Sequence, residues 1–210
     1  MTQESERSLI IIGAGGHARV LIDTLQLTGK SILGVVDKGH AAHSTGPSGL
    51  AILGDDEAVD RFAPDAVLLV NGVGTVKTTA QRDAIYRRFL AKGFHFATVV
   101  HPSAVISNSA TLGEGVQVMA GCVIQAGASI GANSLINTRA SIDHDCRIGE
   151  TVHIAPGATL SGTVTVGDET HIGTGAVVIQ GITIGRHCLV AAGAVVYRDL
   201  PDGAQHIKGA

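Results

Sequence analysis

The sequence is poor in aromatic residues, which make up 3% of its 210 positions and include no tryptophan. A compact core usually obtains much of its volume from aromatic side chains. This chain instead has 45% hydrophobic residues, together with 28 glycines. Its interior must therefore be filled by Val, Ile, Leu and Ala, which suits a narrow and repetitive architecture.

The sequence also lacks a surplus of positive charge, a long apolar run and an even number of cysteines. The net charge is −3 and no basic patch is visible, whereas a protein that binds nucleic acid needs one to contact phosphates. The sequence contains no run of about 20 apolar residues that could form a membrane span, and residues 1–8 do not resemble a signal peptide. Three cysteines do not suggest a disulfide framework. We expect a cytoplasmic protein that neither binds nucleic acid nor spans a membrane.

A period of six residues dominates the second half of the chain. Every sixth position is Val, Ile or Leu: Val100, Ile106, Leu112, Val118, Ile124, Ile130, Ile136, Ile142, Ile148, Ile154, Leu160, Val166, Ile172, Val178, Ile184, Val190 and Val196. The residue two positions before each is nearly always small. Three such short strands with tight turns close a triangular coil of about eighteen residues, and the coils stack on one another. We therefore predict a left-handed parallel β-helix of hexapeptide repeats over residues 98–210, with no projecting loop.

The three cysteines, Cys122, Cys146 and Cys188, occupy the small inward position of this repeat. A free cysteine behaves there as a small hydrophobic residue. We therefore predict that these thiols are buried and do not act as nucleophiles.

Residues 1–97 follow a different pattern. The predicted elements are strands at 9–12, 32–36 and 67–70 and helices after the first strand and over 76–92. This order of β-α-β-x-β-α indicates an open parallel sheet. We therefore predict a small α/β, Rossmann-like domain that ends where the period changes to six.

The first predicted strand runs into the sequence Gly13-Ala14-Gly15-Gly16-His17-Ala18, which fits G-x-G-x-x-A before a helix. Glycines let the backbone approach phosphates, and the N-terminus of a helix favours anions. Asp37 ends the second strand, where an acidic side chain can accept hydrogen bonds from a ribose or a base. These residues predict nucleotide binding, with His17 beside the phosphates. NAD and a nucleotide-sugar diphosphate both fit, and the neighbouring β-helix favours the second.

His144 lies two residues after the inward Ile142 and between Asp143 and Asp145. An adjacent carboxylate can fix the tautomer of an imidazole and raise its basicity, and acyl transfer from a thioester needs such a base. The reaction also needs a donor to the thioester oxygen, for which a glycine N–H is suitable. Gly162 follows His144 by eighteen residues and should lie one coil above it. The constellation predicts acyl transfer, and an exposed histidine without catalytic role is the alternative.

His153 and His171 are also eighteen residues apart, so we expect them to stack on one face. A polar ladder is one interpretation, and a zinc site is another, because carbonic anhydrases of the γ class bind zinc on this fold. The closely spaced histidine pair of that class is missing here, and zinc needs three or four converging ligands. We therefore expect no metal.

A predicted strand is followed by GAGGHA, and the predicted β-helix contains Ile-Asn-Thr, Asp-His-Asp and Val-His-Ile. Together these motifs resemble the sugar O-acyltransferase family, which includes sialic acid O-acetyltransferases. The pattern is most similar to the bacterial nucleotide-activated 4-amino-sugar N-acetyltransferases, which are the bacillosamine and perosamine enzymes. The resemblance covers nearly the whole chain. It implies a homotrimer with active sites between subunits, acetyl-CoA along the β-helix and a UDP- or GDP-linked amino sugar against the N-terminal domain.

Carried over by motif, the resemblance implies that His144 is the general base and that Asp145, where relatives often have Glu, orients it. Asn137 and His153 would line the acceptor or acetyl pocket, and Gly162 would offer its N–H to the thioester oxygen. The nucleotide sugar would be held by Gly13, Gly15, Gly16, His17 and Asp37.

The expected reaction is therefore N-acetylation of the 4-amino group of a nucleotide-linked amino sugar, by direct attack on acetyl-CoA. O-acetylation of sialic acid or a related sugar is an alternative, and a nucleotide-binding scaffold trimer is a non-enzymatic one. Relatives commonly end in a Gly-x-Pro-Ala segment that helps to cover CoA. This chain ends at Lys208-Gly209-Ala210, so we expect that contact to be absent or truncated.

Overall fold

The computed structural model describes residues 7–206, and they form two units of different architecture. The ends of the chain, including the residues on which the expected loss of a CoA contact rests, lie outside the described residues. The first unit is a parallel sheet with strand order β3-β2-β1-β4. Its elements are β1 (Ser8–Ile12), α1 (Gly16–Leu27), β2 (Ile32–Val36), β3 (Ile52–Gly54), β4 (Val67–Asn71) and α2 (Ala80–Ala91), with 3₁₀ turns at Pro47–Gly49 and Asp56–Arg61. The predicted α/β class is confirmed.

Strand β1 shows why this sheet forms. Its apolar run Leu9–Ile12 is buried on both faces, as expected for a parallel strand that is covered on both sides. Leu9 and Ile11 belong to the core shared with α1 and the β-helix, whereas Ile10 and Ile12 pack in the core beneath α2. This alternation follows from the two-residue period of a strand.

One prediction for this unit was wrong in detail, and one strand was not predicted. Strand β3 was not predicted, because three residues are too short to show a period. The helix predicted from residue 76 begins only at Ala80. Lys77 has a left-handed backbone with φ 67°, which no helix accommodates, and Thr79 donates a hydrogen bond to the β-helix carbonyl of Glu169 at 3.1 Å. Packing between the two units therefore decides where α2 begins.

The second unit is the predicted left-handed β-helix of hexapeptide repeats, which is confirmed. Its strands are β5 (Val99–Val100), β6 (Val105–Ile106), β7 (Thr111–Leu112), β8 (Gln117–Val118), β9 (Val123–Ile124), β10 (Ser129–Ile130), β11 (Leu135–Ile136), β12 (Ser141–Ile142), β13 (Arg147–Ile148), β14 (His153–Ile154), β15 (Thr159–Leu160), β16 (Thr165–Val166), β17 (His171–Ile172), β18 (Val177–Val178), β19 (Thr183–Ile184), β20 (Leu189–Val190), β21 (Val195–Val196) and β22 (Gln205–His206). They form three parallel sheets, which are the faces of a triangular prism.

We number these faces in chain order. Face 1 contains β5, β8, β11, β14, β17, β20 and β22; face 2 contains β6, β9, β12, β15, β18 and β21; face 3 contains β7, β10, β13, β16 and β19. Strands that pair are eighteen residues apart, as with Ser141 and Thr159. The second residue of strands β8 to β21 points into the prism and is buried, because each coil covers the next, whereas that of β5, β6, β7 and β22 is only partly buried.

The three cysteines are free and buried, as predicted. Burial raises the pKa of the Cys122 thiol to about 11, so it stays protonated at neutral pH and is a poor nucleophile. Among residues 7–206 no helix is long and apolar enough to cross a membrane.

Candidate functional site

His144 lies at the corner between faces 2 and 3, directly after β12. Its Nδ1 is 2.9 Å from Oδ2 of Asp145, and its backbone N–H donates to Oδ1 of Asp143 at 2.7 Å. The hydrogen bond to Asp145 and the negative charges of both carboxylates raise the pKa of His144 above its usual value, although burial acts in the opposite direction. Because a carboxylate can only accept, Nδ1 carries the proton and Nε2 keeps a lone pair in the neutral ring. This is the arrangement of a general base.

Gly162 lies against the imidazole of His144, one coil further along the prism. A Cβ atom at Gly162 would be only 2.4 Å from Nε2 of His144, so the ring occupies the space of a side chain. The backbone N–H of Gly162 has no hydrogen-bond acceptor within residues 7–206. The structure thus places the ring of His144 next to Gly162, whose N–H has no partner among these residues.

Asn137 and His153 form a second group, on face 1 and its edge with face 2. Nδ2 of Asn137 is 3.1 Å from Nε2 of His153, and Nδ1 of His153 is hydrogen-bonded to the hydroxyl of Thr75 in the N-terminal unit. His153 points out of the prism but is only 5% exposed, because the N-terminal unit covers it. Burial, together with the neighbouring His171 and Arg82, lowers the pKa of His153 to about 3. His153 is therefore neutral and does not act as an acid or base near neutral pH.

His171 stacks on His153 as expected, with ring centroids 4.8 Å apart in an edge-to-face arrangement. Burial lowers the pKa of His171, and its Nδ1 is buried without a partner among residues 7–206. The same part of the chain contains no group of three or more His, Cys, Asp or Glu side chains placed to hold a metal ion.

The glycine-rich turn joins β1 to α1 at the carboxyl end of the sheet. Gly13 has φ 95°, a conformation that favours glycine, and Gly15 and Gly16 have open space where a Cβ would point. Asp37 accepts from the Ala14 N–H at 2.8 Å, so it holds the turn in place. Burial would raise the pKa of Asp37, but hydrogen bonds from His40, Ala14 and Gly39 outweigh burial and lower it. The carboxylate is therefore charged and has acceptor capacity left for a ligand.

A cleft of about 350 Å³ opens beside this turn. Gly13, Asp37 and Val73 line it, and two cations, Lys38 and Arg88, also reach it. Both cations contact the carboxylate of Asp56, at 3.4 and 2.7 Å. The cleft lies outside the carboxyl ends of parallel strands, where open α/β sheets bind nucleotides.

His17, which the sequence predicts beside the phosphates, also takes part in the contact between the two units. Its Nε2 is 2.8 Å from Oε1 of Gln117 on face 1, and the Gln117 amide donates to the carbonyl of Asn71 at 2.9 Å. Burial, followed by the positive charge of Arg82, lowers the pKa of His17 to about 4, although the Gln117 bond opposes the change. His17 is therefore a neutral link between the two units, with only Nδ1 left for a ligand.

No sequence pattern indicated Arg82, which is 1% exposed in the interface between the units. Its guanidinium donates to the carbonyls of Asn133 at 2.8 Å, Asn71 at 3.0 Å and Val73 at 3.2 Å. Burial lowers its pKa to about 9, so it remains charged at neutral pH. An arginine in an amphipathic helix normally faces solvent, so the sequence does not show that Arg82 joins the two units. Thr75 lies in a loop, and its contact with His153 could not be predicted from the sequence either.

The site residues thus form separate groups within one chain. Asn137 follows β11 at the corner between faces 1 and 2, and His144 follows β12 at the next corner. Face 2 lies between them. The cleft and His17 belong to the N-terminal unit on face 1. A single chain therefore does not bring His144 to the groups beside the cleft.

Comparisons with known proteins cover most of the chain. Residues 8–89 match the family model of the PglD N-terminal domain, and residues 127–162 and 163–198 match the bacterial transferase hexapeptide family. UDP-N-acetylbacillosamine N-acetyltransferase of Bacillus subtilis (strain 168) is 38% identical over 121 residues, which are 54% of this chain. The match spans only 52% of that relative.

Solved structures match over nearly the full length. A histidine-to-asparagine mutant of perosamine N-acetyltransferase from Caulobacter crescentus, in complex with CoA and GDP-perosamine, is 39% identical with a TM-score of 0.89. This comparison covers 97% of this chain and 94% of the other. The acetyltransferase domain of PglB from Neisseria gonorrhoeae FA1090 is 34% identical with a TM-score of 0.88, covering 95% and 96%.

Proposed function

This chain belongs to the family of nucleotide-activated amino-sugar N-acetyltransferases of the bacillosamine and perosamine type, and we propose that it transfers the acetyl group of acetyl-CoA to the 4-amino group of a nucleotide-linked amino sugar. The observation that carries the proposal is the His144–Asp145 pair, whose Nε2 lies against Gly162 with its free N–H. A base and an oxyanion donor in contact are what acyl transfer from a thioester requires.

The proposed reaction is a direct transfer. The sugar amine attacks the carbonyl carbon of the thioester, and Nε2 of His144 accepts a proton from the amine nitrogen. The negative charge that develops on the thioester oxygen accepts a hydrogen bond from the Gly162 N–H. Collapse of the tetrahedral intermediate breaks the C–S bond, and the CoA thiolate that leaves takes up the proton from the imidazolium, directly or through solvent, which regenerates the neutral base. Asp145 holds the Nδ1 proton and stabilises the imidazolium.

The nucleotide part of the acceptor is proposed to bind in the cleft beside Gly13. Gly15 and Gly16 leave room for phosphates at the N-terminus of α1, and Lys38 and Arg88 supply positive charge. Asp37 offers its remaining acceptor sites to the ribose or the base, and Nδ1 of the neutral His17 is free to accept a hydrogen bond from a sugar hydroxyl. The complex of the Caulobacter relative contains GDP-perosamine, and the Bacillus relative is named for a UDP-linked sugar, which together support a GDP- or UDP-linked substrate.

We propose that the working enzyme is a homotrimer with active sites between subunits, because His144 faces away from the cleft of its own chain. Face 2 presents apolar side chains to solvent. Val105 is 64% exposed and Val177 is 38% exposed on this face, and Tyr197 at its edge is 52% exposed. An exposed apolar face of this kind favours association. A neighbouring copy would place Asn137 and His153 opposite His144, where they would line the acceptor or acetyl pocket.

We also propose a cytoplasmic location. All three cysteines are free thiols packed inside the prism. Proteins of oxidising compartments commonly use their cysteines in disulfides, so these thiols support a reducing compartment.

The test is release of free thiol from acetyl-CoA in the presence of GDP- and UDP-linked 4-amino sugars. We expect turnover with at least one of them, and none with the matching 4-hydroxy sugar, because the hydroxyl is the weaker nucleophile. Turnover with sialic acid alone would indicate O-acetylation instead. Binding of nucleotide without any thiol release would indicate a scaffold.

Asp145→Asn should change the pH dependence of the reaction. Asp145 raises the pKa of His144, so its loss lowers that pKa and moves the acidic limb of the kcat/KM profile to lower pH. The plateau should fall about tenfold, because the asparagine amide can also hold the wrong tautomer. Asn tolerates the left-handed backbone at this position, where φ is 58°.

The matched control is Asp143→Asn, which removes a negative charge near His144 but keeps an acceptor for its backbone N–H. Its acidic limb should move less. An acidic limb that stays in place in Asp145→Asn would show that His144 is not the group that titrates.

A further inference from the structure

We propose that Gln117 is a positioning residue, which fixes the tautomer of His17 so that Nδ1 meets the ligand as a lone pair. This lone pair accepts a hydrogen bond from a sugar hydroxyl and offers nothing to a phosphate oxygen. The effect on the substrate rests on the proposed function, whereas the tautomer itself does not depend on it. Gln117 lies on face 1 of the β-helix, 100 residues away from His17, and no sequence motif points to it.

The contacts of Gln117 determine which way its amide points. The side chain is fully buried, and one end of its amide lies 2.9 Å from the backbone carbonyl of Asn71. A carbonyl oxygen can only accept, so the amide atom that faces it must be the nitrogen. The same carbonyl accepts from Nη1 of Arg82 at 3.0 Å, which holds it in place. The oxygen of the Gln117 amide therefore faces His17.

This oxygen decides where the proton of the His17 ring is. Oε1 of Gln117 lies 2.8 Å from Nε2 of His17, and an amide oxygen cannot donate, so Nε2 carries the proton. Burial and the positive charge of Arg82 lower the pKa of His17 to about 4, although the bond with Gln117 opposes this. The ring therefore has no second proton near neutral pH, and Nδ1 is an acceptor. Neither contact of Gln117 involves a hydroxyl group, so neither can reverse its direction.

Nδ1 of His17 is available to a ligand beside the cleft. It has no hydrogen-bond partner among residues 7–206, and the side chain is only half-buried. A Cβ atom at Gly74 would be 3.1 Å from Cβ of His17, and the preceding Val73 lines the cleft. His17 thus lies next to the wall of the proposed nucleotide site, in the first turn of α1.

An acceptor at this position distinguishes the sugar from the phosphates. The phosphate oxygens of a nucleotide sugar carry no proton near neutral pH, so they find no donor at Nδ1, whereas a sugar hydroxyl can donate to it. A proton on Nδ1 would reverse this preference, because the N-terminus of a helix already attracts anions. By keeping the proton on Nε2, Gln117 makes His17 a contact for the sugar and leaves the phosphates to the backbone N–H groups of the turn.

The tautomer is measured first, from the ¹⁵N chemical shifts of the imidazoles in histidine-labelled protein, with His17→Gln to assign the signal. In the wild type at neutral pH, Nε2 of His17 should be protonated and Nδ1 unprotonated, both without a ligand and with GDP or UDP bound. Gln117→Met removes the amide, while the Asn71 carbonyl keeps its Arg82 donor. Both tautomers should be populated in this variant, because no partner selects one of them.

The contact with the sugar is measured with nucleotide amino sugars in which one ring hydroxyl at a time is replaced by fluorine. Fluorine cannot donate, so one of these analogues should have a KM about fivefold above that of the parent sugar in the wild type, as for one lost hydrogen bond. In Gln117→Met this difference should largely disappear, because a proton on Nδ1 can then face the fluorine. The electronic effect of fluorine on the amine is the same in both proteins and cancels in the comparison.

Thr79→Val is the matched control, because it removes another side-chain hydrogen bond between the two units, to the carbonyl of Glu169, without touching His17. It should keep the single tautomer of His17 and the full effect of the fluorine. A loss of either in Thr79→Val would show that the tautomer reports the general fit of the two units and not the Gln117 amide.

A proton on Nδ1 of His17 in the wild type, free or with GDP or UDP bound, would overturn the proposal. So would a single Nε2-protonated tautomer in Gln117→Met, or a wild type whose KM is raised by none of the fluorinated analogues. A wild type that turns over no amino sugar would instead overturn the proposed function. The two failures are distinguishable, because the tautomer is read from the imidazole nitrogens without any acceptor sugar.

Discussion

Replacement of His144 by asparagine is expected to lower kcat about 1,000-fold, which is within the range that a general base contributes. The asparagine amide is similar in size to the imidazole but cannot accept a proton. The amine would have to lose its proton to water, while the Gly162 N–H and the substrate pockets stay in place. The pH profile of the residual rate should therefore lack the acidic limb that protonation of His144 causes in the wild type. The measurement is thiol release from acetyl-CoA over a range of pH.

His101→Asn is the matched control, because its Nδ1 accepts the Ser103 backbone N–H at 3.1 Å and an asparagine oxygen can do the same. This variant should keep the wild-type kcat. Dissociation constants for acetyl-CoA and for the nucleotide should be similar in wild type and His144→Asn, as expected for an interaction made mainly in the transition state. A kcat of His144→Asn within tenfold of the wild type would eliminate His144 as the base.

Gly162→Ala should lower kcat about 100-fold, since a displacement of about 1 Å at a reacting group has effects of this size. The new methyl group would lie 2.4 Å from Nε2 and 2.6 Å from Cε1 of His144. The imidazole is 49% exposed, so it can swing away into solvent and leave the base out of position. The N–H of residue 162 is retained, so the loss reports the position of the ring and not the oxyanion donor.

The fold should accept this change. Ala126, two coils before Gly162, and Gln180, one coil after it, occupy the same position of the repeat, and φ at Gly162 is not in the left-handed region. The melting temperature of Gly162→Ala should therefore stay close to that of the wild type. An unchanged kcat would mean that Nε2 does not need its place against Gly162, and a large fall in melting temperature would mean that the loss reflects folding.

The sequence alone determined the β-helix and the local parts of the site. Each aliphatic residue of the hexapeptide series needs only the neighbouring coils to be buried, so its period can be read along the chain. The pair of His144 and Asp145 and the contact with Gly162 follow from the same period, because eighteen residues return the chain to the same corner. The glycine-rich turn could also be predicted from the sequence, because Gly13 and Asp37 directly follow two adjacent strands of one sheet.

Only the tertiary structure decided what happens where the two units meet. Thr75 and His153 are 78 residues apart, and His17 and Gln117 are 100 apart, so no local pattern records these contacts. The interface buries Arg82 and holds His17 and His153 neutral, because desolvation disfavours their charged forms. It also makes α2 begin at Ala80. The hexapeptide period reveals contacts between neighbouring coils of the β-helix. The hydrogen bonds of His153, in contrast, come from residues of both units, which only folding brings together.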